Sequence, residues 1–360
     1  MTFAKYGFDE VLVDATRRSP KVQATEYMVA GHFPVIDQGA LDVAGYVDDE
    51  LLVTRVDRPR ILFGDHTRRF KYASSDFVLG ADGVKALEVL PGFDPRYVFH
   101  ALRHMQLPSA GYSRHFKFLK AATLLAPDLE EQERIAAILD QADELRAKRR
   151  RTLTLLDELP ERIFAKKFLD VGRAFKPLGD LAAWQSGGTP SRSQTAFFCG
   201  DIPWMTSGEL GPVRAVVSNE MLTTEAVARS SAKIIPHGSL LLGMYDTAAL
   251  KSSISVGEIA CNQAVAFGVP SSGVTPEFLY FAVRSQRASV LARRRGARQK
   301  NLNLSMIRSI TVPVVSAAEQ TEFADVVREV EALRAAAEAH LAHLDELFAS
   351  LQHRAFIGQL

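Results

Sequence analysis

The chain has 360 residues, enough for two or three domains, and its 43 Lys and Arg nearly balance 42 Asp and Glu, leaving a net charge of +1. No apolar run approaches the roughly 18 residues that cross a bilayer, and residues 1–12 lack the apolar stretch of a signal peptide, which argues against a membrane or secreted protein. The two cysteines, Cys199 and Cys261, have no metal-ligand spacing and are expected as free thiols in a bacterial cytoplasm.

The small net charge conceals a division along the chain. Residues 1–127 carry 16 Lys and Arg against 15 Asp and Glu, and residues 128–172 carry 9 against 11. Residues 173–315 carry 15 against 8, whereas residues 316–360 carry 3 against 8. The positive excess of residues 173–315 favours a polyanionic partner for that segment.

The first segment mixes short β-rich runs such as "RILFG" with turns and one amphipathic helix, "DPRYVFHALR", from Asp94 to Arg103. This mixture predicts an α+β domain. Between two apolar runs lies the stretch "FGDHTRRFKY", which offers Arg68, Arg69 and Lys71. We expect a polar hairpin here that faces either DNA or solvent.

A second candidate DNA contact, "GYSRHFKFLK", precedes the first long helix. It contributes Tyr112, Ser113, Arg114, His115 and Lys117. Cations and hydroxyls of this kind bind DNA phosphates. The stretch occupies the same place relative to its helix as a strongly basic stretch near residue 300, and that equivalence predicts a DNA contact for both.

Residues 128–172 predict a long helix. Pro127 blocks helix propagation from the N-terminal side, and Asp128 is a suitable N-cap, as Ser316 is for a second long helix near the end of the chain. Apolar residues then recur at alternating steps of three and four, which indicates a coiled-coil seam. Pro160 is expected to kink the helix or end its regular part.

The second helix repeats the first. "EQERIAAILDQADELR" and "EQTEFADVVREVEALR" begin 188 residues apart, at Glu131 and Glu319, and "LDEL" recurs at Leu156 and Leu344 with the same offset. We expect two helices of about 30 to 35 residues that pair antiparallel as a coiled coil. The expected seam residues are Ile135, Ile138, Leu145, Leu156, Leu159, Phe323, Val326, Val330, Leu333, Leu344, Leu347 and Leu351.

Residues 173–315 resemble the first segment. "SLLLGMY" and "AVAFGV" predict strands, and "TPEFLYFAVR", from Thr275 to Arg284, matches the earlier helix at an offset of 181. The chain therefore predicts an internal repeat, in which two α+β domains alternate with the two helices. The predicted boundaries are 1–127, 128–172, 173–315 and 316–360.

Two stretches of residues 173–315 suggest contacts with nucleic acid. "SGGTPSR" is a glycine-rich turn whose backbone amides are suited to gripping a phosphate, with Thr189, Ser191 and Arg192 beside them. "RRRGARQKNLN" combines cations for phosphates with amides for base edges, although a solvated loop is the alternative. Its candidate residues are Arg293, Arg294, Arg295, Arg298, Gln299, Lys300, Asn301 and Asn303.

Motifs for catalysis are absent from the sequence. It contains no GxxxxGK[ST], no HExxH and no cysteine cluster for zinc. It also lacks a glycine-rich strand-loop-helix for S-adenosylmethionine and the Asn/Asp-Pro-Pro-aromatic tetrapeptide of amino-methyltransferases. We therefore expect no catalytic residue, no metal and no cofactor in this chain.

Taken together, these motifs resemble the specificity subunits of Type I restriction–modification enzymes. The resemblance is carried by "LAPDLEEQERIAAILDQADEL", "LLDEL" and "FAKKF" in the middle of the chain. It is supported by "FGDHTRRFKY", "FVLGADGVKAL" and "GYSRHFKFLK" before them and by "SGGTPSR", "DIPWMTSGEL", "CNQAV" and "QKNLN" after them. These motifs span nearly the full chain.

The resemblance implies two target-recognition domains separated by the two long antiparallel helices, with a pseudo-twofold internal repeat. Each domain would read half of a bipartite double-stranded DNA sequence, and the helices would set an unread spacer. It also implies two copies of an adenine methyltransferase subunit and an ATP-dependent restriction subunit as partners. S-adenosylmethionine and ATP would then be bound by those partners, not by this chain.

Two other functions stay open from the residues themselves. One is a stand-alone DNA methyltransferase or nuclease with an unrecognised motif, and the other is a coiled-coil adaptor without a DNA role. The positive excess of residues 173–315 argues against the adaptor.

Overall fold

The computed structural model of the chain describes residues 3–81, 83–109, 111, 114–170, 172–215, 217–245, 248–294 and 301–360, with only the backbone for Arg293 and Arg294. These residues form two compact units, unit 1 (Met1–Arg150 with Ala339–Leu360) and unit 2 (Arg151–Glu338). Each unit combines helices with sheets, which confirms the α+β class. The four predicted domain boundaries stay predictions.

Unit 1 is built from short strands and helices that precede the first long helix. Their bounds are β1 Ala4–Gly7, α1 Phe8–Val11, β2 Leu12–Asp14, β3 Lys21–Val22, β4 Phe33–Ile36, β5 Gly45–Val47, β6 Val53–Thr54, β7 Arg60–Gly64, β8 Phe70–Ala73, β9 Phe77–Gly80, β10 Val84–Val89, α2 Pro95–His104, α3 Phe116–Lys120 and β11 Thr123–Ala126.

The sheets of unit 1 are mainly antiparallel. One has the order β2-β10-β7-β8, a second has the order β3-β9-β4-β5 with β6 also on β9, and β1 pairs with β11. The first sheet packs its apolar side against α2. Ile61 and Phe63, two residues apart on β7, point to the same face of the sheet, and they share one core with Tyr97 and Leu102 of α2.

Unit 2 contains a similar series of elements. Their bounds are β12 Phe175–Pro177, β13 Ala182–Ser186, β14 Ile202–Met205, β15 Arg214–Ala215, β16 Met221–Leu222, α5 Thr224–Ala228, β17 Leu240–Gly243, β18 Ser252–Ser255, β19 Ala260–Cys261, β20 Val265–Pro270, α6 Pro276–Arg294, α7 Leu304–Arg308 and β21 Thr311–Pro313.

The strand order of unit 2 follows that of unit 1. Its largest sheet has the order β13-β20-β17-β18-β15, its second sheet β16-β14-β19, and β12 pairs with β21. The first four strands of the largest sheet have the same order and the same antiparallel pairing as β2-β10-β7-β8. The fifth strand of this sheet, β15, runs parallel to β18 and has no counterpart in β2-β10-β7-β8 among the described residues.

Two helices of 40 residues each, α4 (Leu129–Phe168) and α8 (Ala317–Phe356), contribute residues to both units. Both predicted N-caps are present: the Asp128 carboxylate accepts from the Glu131 amide at 3.0 Å, and Ser316 forms a reciprocal capping box with Glu319. The helices are longer than predicted, and α4 continues through Pro160 to its end at Phe168.

A buried glutamine near the start of each long helix ties that helix to its unit. In unit 1, Gln132 donates to the Pro127 carbonyl at 2.9 Å and accepts from the Asp94 amide at 3.0 Å. In unit 2, Gln320 donates to the Val315 carbonyl at 2.9 Å and accepts from the amide at position 275 at 3.1 Å. The same two bonds therefore recur: the glutamines and the carbonyls lie at the predicted offset of 188, and the two amides at the predicted helix offset of 181.

Polar side chains link α4 to α8 within each unit. In these pairs, later residues of α4 bond to earlier residues of α8. The pairs are Arg146–Asp345 at 2.5 Å and Arg149–His340 at 2.7 Å in unit 1, and Asp157–Arg334 and Lys167–Glu322, both at 2.6 Å, in unit 2.

The predicted seam is only partly buried. Ile135, Phe323 and Val330 are buried, and five others are half-buried: Ile138, Leu156, Val326, Leu344 and Leu351. The prediction was wrong for four residues that are exposed, namely Leu145, Leu159, Leu333 and Leu347. On a straight helix, positions that repeat every seven residues rotate around the axis by about 20° per repeat, so they gradually leave the buried face. In each case the next residue along the chain is more buried instead: Arg146, Pro160, Arg334 and Phe348.

One buried histidine makes the stability of unit 1 depend on pH. His100 of α2 is fully buried, and its Nε2 lies 2.8 Å from the Asp140 carboxylate of α4, while its Nδ1 has no partner. Burial lowers the pKa of His100, against a smaller opposing effect of Asp140. The folded state therefore holds this imidazole neutral at a pH where the unfolded chain already binds a proton.

We predict that acidification below about pH 6.5, the ordinary pKa of histidine, destabilises unit 1, and that His100→Phe removes part of this loss. Phenylalanine already stands at the corresponding place in unit 2, Phe281. The measurement is the midpoint of thermal unfolding at pH 7.5 and 5.5. His343→Gln, at an exposed residue, is the control; an equal pH effect in the wild type and His100→Phe would contradict the prediction.

Candidate nucleic-acid interface

The turn between β7 and β8 fixes the first group of predicted DNA contacts. Arg68 adopts a left-handed backbone with φ of 58°, which is uncommon for a residue with a side chain. Two backbone bonds hold it there: the Arg68 amide donates to the Gly64 carbonyl at 2.7 Å, and the Gly64 amide donates to the Arg69 carbonyl at 2.8 Å. Both arginine side chains are exposed.

Asp65, the first residue of this turn, joins it to the segment before α3. Its carboxylate accepts from the Phe116 amide at 2.7 Å, and its carbonyl accepts from the amide of His115 at 2.9 Å and lies 2.9 Å from the His115 Nδ1. His115 is 1% exposed. The prediction that His115 contacts DNA was wrong, because its ring is used to fix the segment. Arg114 and Lys117 on either side are exposed beside the turn.

Beside the turn lies a concave groove of about 620 Å³. Arg68, Arg69, Lys71 and Arg103 line it together with the acidic Asp42 and the chain from Met105 to Leu107. The Arg68 guanidinium donates to the Leu107 carbonyl at 3.2 Å. The groove is therefore a mainly cationic surface of unit 1.

Lys71 serves the fold more than the surface. Its side chain is only 10% exposed, and its Nζ donates to the Leu41 carbonyl at 2.5 Å and lies 3.5 Å from the Asp37 carboxylate. Burial lowers the pKa of Lys71, and Asp37 opposes that effect. Lys71 thus anchors the loop after β4 to the hairpin.

Arg69 and Arg114 differ from the cations of unit 1 that are ion-paired. Arg103 is paired with Asp143 at 2.7 Å, and Arg146 with Asp345 at 2.5 Å. Among the residues that the structure describes, no carboxylate lies within ion-pair distance of Arg69 or Arg114. These two arginines can bind phosphate without first losing a partner.

The glycine-rich turn of unit 2 does not present free amides. Gly187 donates to the Val265 carbonyl at 3.0 Å, and Gly188 donates to the Cys261 carbonyl at 2.9 Å. A Cβ at Gly188 would lie 2.1 Å from the Ser231 carbonyl oxygen. The interpretation as a phosphate grip was wrong, because these glycines allow close packing and their amides are already bonded.

The side chains after these glycines lie at the surface. Thr189 is half-buried and donates to the side-chain oxygen of Gln263, a residue that sequence reasoning missed although it lies in the quoted "CNQAV" motif. Ser191 is exposed and bonds to Ser193 at 2.8 Å. These hydroxyls and the exposed Gln263 amide form a polar edge of unit 2.

Arg192 is already engaged. It makes two hydrogen bonds to the Glu220 carboxylate, one of them at 2.9 Å, and these lower the pKa of Glu220. Its guanidinium lies over the rings of Phe198 and Trp204, 4.5 and 4.9 Å from their centroids. As it stands, the charge of Arg192 is compensated within unit 2.

The basic stretch after α6 is described only at its end. Asn301 is exposed, whereas the Asn303 side chain caps α7 by accepting from the Met306 amide at 2.9 Å. The side chains of Arg293 and Arg294 and the whole of Tyr112, Ser113, Arg295, Arg298, Gln299 and Lys300 lie outside the described residues. Their predicted DNA contacts stay predictions.

Two properties of the described residues bear on function. None of their helices is both long enough and apolar enough to cross a membrane. Within the same part of the chain, no three His, Cys, Asp or Glu side chains are grouped so as to hold a metal ion.

Comparison with known proteins shows which proteins the chain is similar to. Residues 171–343 match the family model described as the Type I restriction modification DNA specificity domain. A Type I restriction enzyme specificity subunit from Escherichia coli is 23% identical over 335 residues, which are 87% of this chain and 82% of that protein. Another from Methanocaldococcus jannaschii is 26% identical over 157 residues, 42% of this chain and 36% of that protein.

Solved structures share the fold. The S subunit of a Type I restriction-modification system from M. genitalium has a TM-score of 0.63 at 15% identity, covering 99% of this chain and 96% of that chain. A chain from a structure of the type I R-M system has a TM-score of 0.59 at 13% identity, covering 99% and 98%.

The matched domain and the relatives belong to specificity subunits and not to catalytic ones, which agrees with the prediction that this chain is not an enzyme. The resemblance seen in the sequence is thereby confirmed, since the matched domain and the relatives are those of Type I restriction–modification specificity subunits.

We predict that Arg69→Ala and Arg114→Ala each weaken DNA binding by the chain, assayed together with the methyltransferase subunit that the sequence resemblance implies. Loss of one phosphate contact should lower the slope of log affinity against log salt by about 0.9. The measurement is fluorescence anisotropy of a labelled duplex across a salt series.

The matched control is Arg55→Ala, which removes the same charge from unit 1. Its guanidinium is held by Glu50 and Asp76, so little change in the slope is expected. Equal effects of all three substitutions would mean that only net charge matters.

Proposed function

We propose that this chain is a DNA sequence-specificity subunit that reads a bipartite target, one unit for each half-site. The main support is that units 1 and 2 share the order of four sheet strands, β2-β10-β7-β8 and β13-β20-β17-β18, and the glutamine bonds that tie each unit to a long helix. A protein that repeats one recognition domain along a pseudo-twofold pattern is suited to reading two short sequences on opposite strands.

In this proposal, α4 and α8 form an antiparallel coiled coil that sets the length of the unread spacer. Each helix has 40 residues, which at 1.5 Å per residue is about 60 Å. Half-sites read from one side of a duplex recur at about one helical turn, roughly 34–36 Å, or multiples of it. Helices of this length are of the right order for that task.

The partners follow from the class of protein. We expect two copies of an adenine methyltransferase subunit, with S-adenosylmethionine bound there, and an ATP-dependent restriction subunit, all in the bacterial cytoplasm. We place the docking of these subunits on the long helices, along which leucines are exposed, among them Leu145, Leu155, Leu159, Leu333 and Leu347.

Unit 1 would bind the DNA backbone through Arg68, Arg69, Arg114 and Lys117, which surround one hairpin turn. In unit 2, the polar edge of Thr189, Ser191 and Gln263 would lie against the DNA, and the basic stretch 293–301 would neutralise phosphates. Arg192 would do so only by exchanging its bond with Glu220 for a phosphate.

The first test is a base-resolution methylation map of DNA from cells that express this chain with the neighbouring methyltransferase gene. We expect a split motif with methyladenine on opposite strands, which disappears when this chain is deleted. If the methyltransferase is active but no new methylation appears, a scaffold that does not read DNA is the better description.

A second test addresses the spacer. Seven residues inserted in α4 after Arg150, together with seven in α8 after Glu338, add two turns to each helix at the boundaries of the units. We expect the methylation map to show a longer spacer between unchanged half-sites. An unchanged spacer in an active complex would mean that the helices do not set it.

A further inference from the structure

The hairpin turns of the two units have the same backbone conformation. Among the described residues other than glycine, positive φ occurs at Arg68 and Leu250, with values of 58° and 56°. The Leu250 amide donates to the Gly243 carbonyl at 2.8 Å, as the Arg68 amide donates to Gly64. The Gly243 amide donates to the Lys251 carbonyl at 2.9 Å, as Gly64 donates to Arg69.

The surroundings of the turns are also equivalent. In unit 1 the Asp65 amide donates to the Gly83 carbonyl at 2.6 Å, and in unit 2 the Met244 amide donates to the Ala264 carbonyl at 2.9 Å. The Met244 carbonyl accepts from the Leu302 amide at 2.8 Å, just as Asp65 accepts from the segment before α3. Each turn is therefore bonded to two other segments in the same way.

This correspondence places Lys251 where unit 1 has Arg69. Both are cations that directly follow the left-handed residue, although the turn of unit 2 is longer. Lys251 is half-buried, and no carboxylate of the described residues lies within ion-pair distance of it. An ammonium group in this place has its charge available for an anion.

The turns differ at the left-handed residue itself. Arg68 is exposed, whereas Leu250 is 1% exposed and belongs to the main core of unit 2. Unit 1 therefore has two adjacent cations on its hairpin, and the hairpin of unit 2 has one.

We infer that Lys251 binds a DNA phosphate in unit 2 as the counterpart of Arg69 in unit 1. The inference rests on the proposed function, and it adds a positioning residue that the sequence motifs did not single out. A phosphate is the expected ligand because the two positions carry Arg and Lys, which share the positive charge that neutralises a phosphate. Lys251 thus fixes the register of unit 2 on its half-site without choosing bases.

The test uses the full chain assembled with its methyltransferase partner and a duplex that contains the methylated motif. We expect Lys251→Ala and Lys251→Gln to lower the slope of log affinity against log salt by about 0.9, so that the fall in affinity between about 50 and 200 mM salt becomes about 3.5-fold smaller. Lys251→Arg should keep the slope, and the methylated motif should be unchanged in all three variants.

The control is Arg229→Ala, which removes the same charge from unit 2 but whose guanidinium is already paired with Glu225 at 2.7 Å. Thermal unfolding of each variant separates a folding defect from lost binding. The inference is overturned if Lys251→Gln is folded and keeps the wild-type salt slope while Arg69→Ala has a lower slope. It is also overturned if Lys251→Arg lowers the slope as much as Lys251→Ala does. The proposed function fails separately, if the wild-type complex neither binds nor methylates a split motif.

Discussion

The arrangement of each unit depends on one buried side-chain amide near the start of a long helix. The side chains of Gln132 and Gln320 each donate to a backbone carbonyl shortly before their own helix, α4 or α8. Each also accepts from the backbone amide of the residue just before α2 or α6. Both side-chain amides are buried, so losing either bond would leave polar groups unsatisfied, at about 1–3 kcal/mol each. Because three chain segments meet at one side chain, the domain cannot shift along its helix without breaking these bonds.

The hairpin turns are linked to this frame through a short stretch of chain. In unit 1 the segment before α3 is held by Asp65, and β11, which begins three residues after α3, leads directly to the capped start of α4. In unit 2, Leu302 bonds to Met244, and α7 and β21 lead to α8 in the same order. The surface that carries the exposed cations is therefore connected to a long helix by rigid elements, which is what a fixed reading position requires.

Charge pairing separates structural cations from those suited to DNA. Arg146 lies over the ring of Phe348 and bonds to Asp345, and Arg214 bonds to both Glu277 and Glu331, so these guanidinium groups hold elements together. Arg69 and Arg114 are exposed without such partners. Partly buried pairs are costly to break, whereas an unpaired cation gains energy from each phosphate it neutralises. Net charge alone does not make this distinction.

The sequence alone determined the features that depend on local pattern. The offset of 188, the caps Asp128 and Ser316, and the strand and helix runs were readable because helix starts and amphipathic periods depend on neighbouring residues. Only the tertiary structure decided which candidate side chains face outward. His115 is bound by Asp65, Arg192 by Glu220, and the amide of Gly188 by Cys261, each about 30 to 75 residues away along the chain. A local sequence pattern cannot predict such partners, because these residues come into contact only in the folded domain.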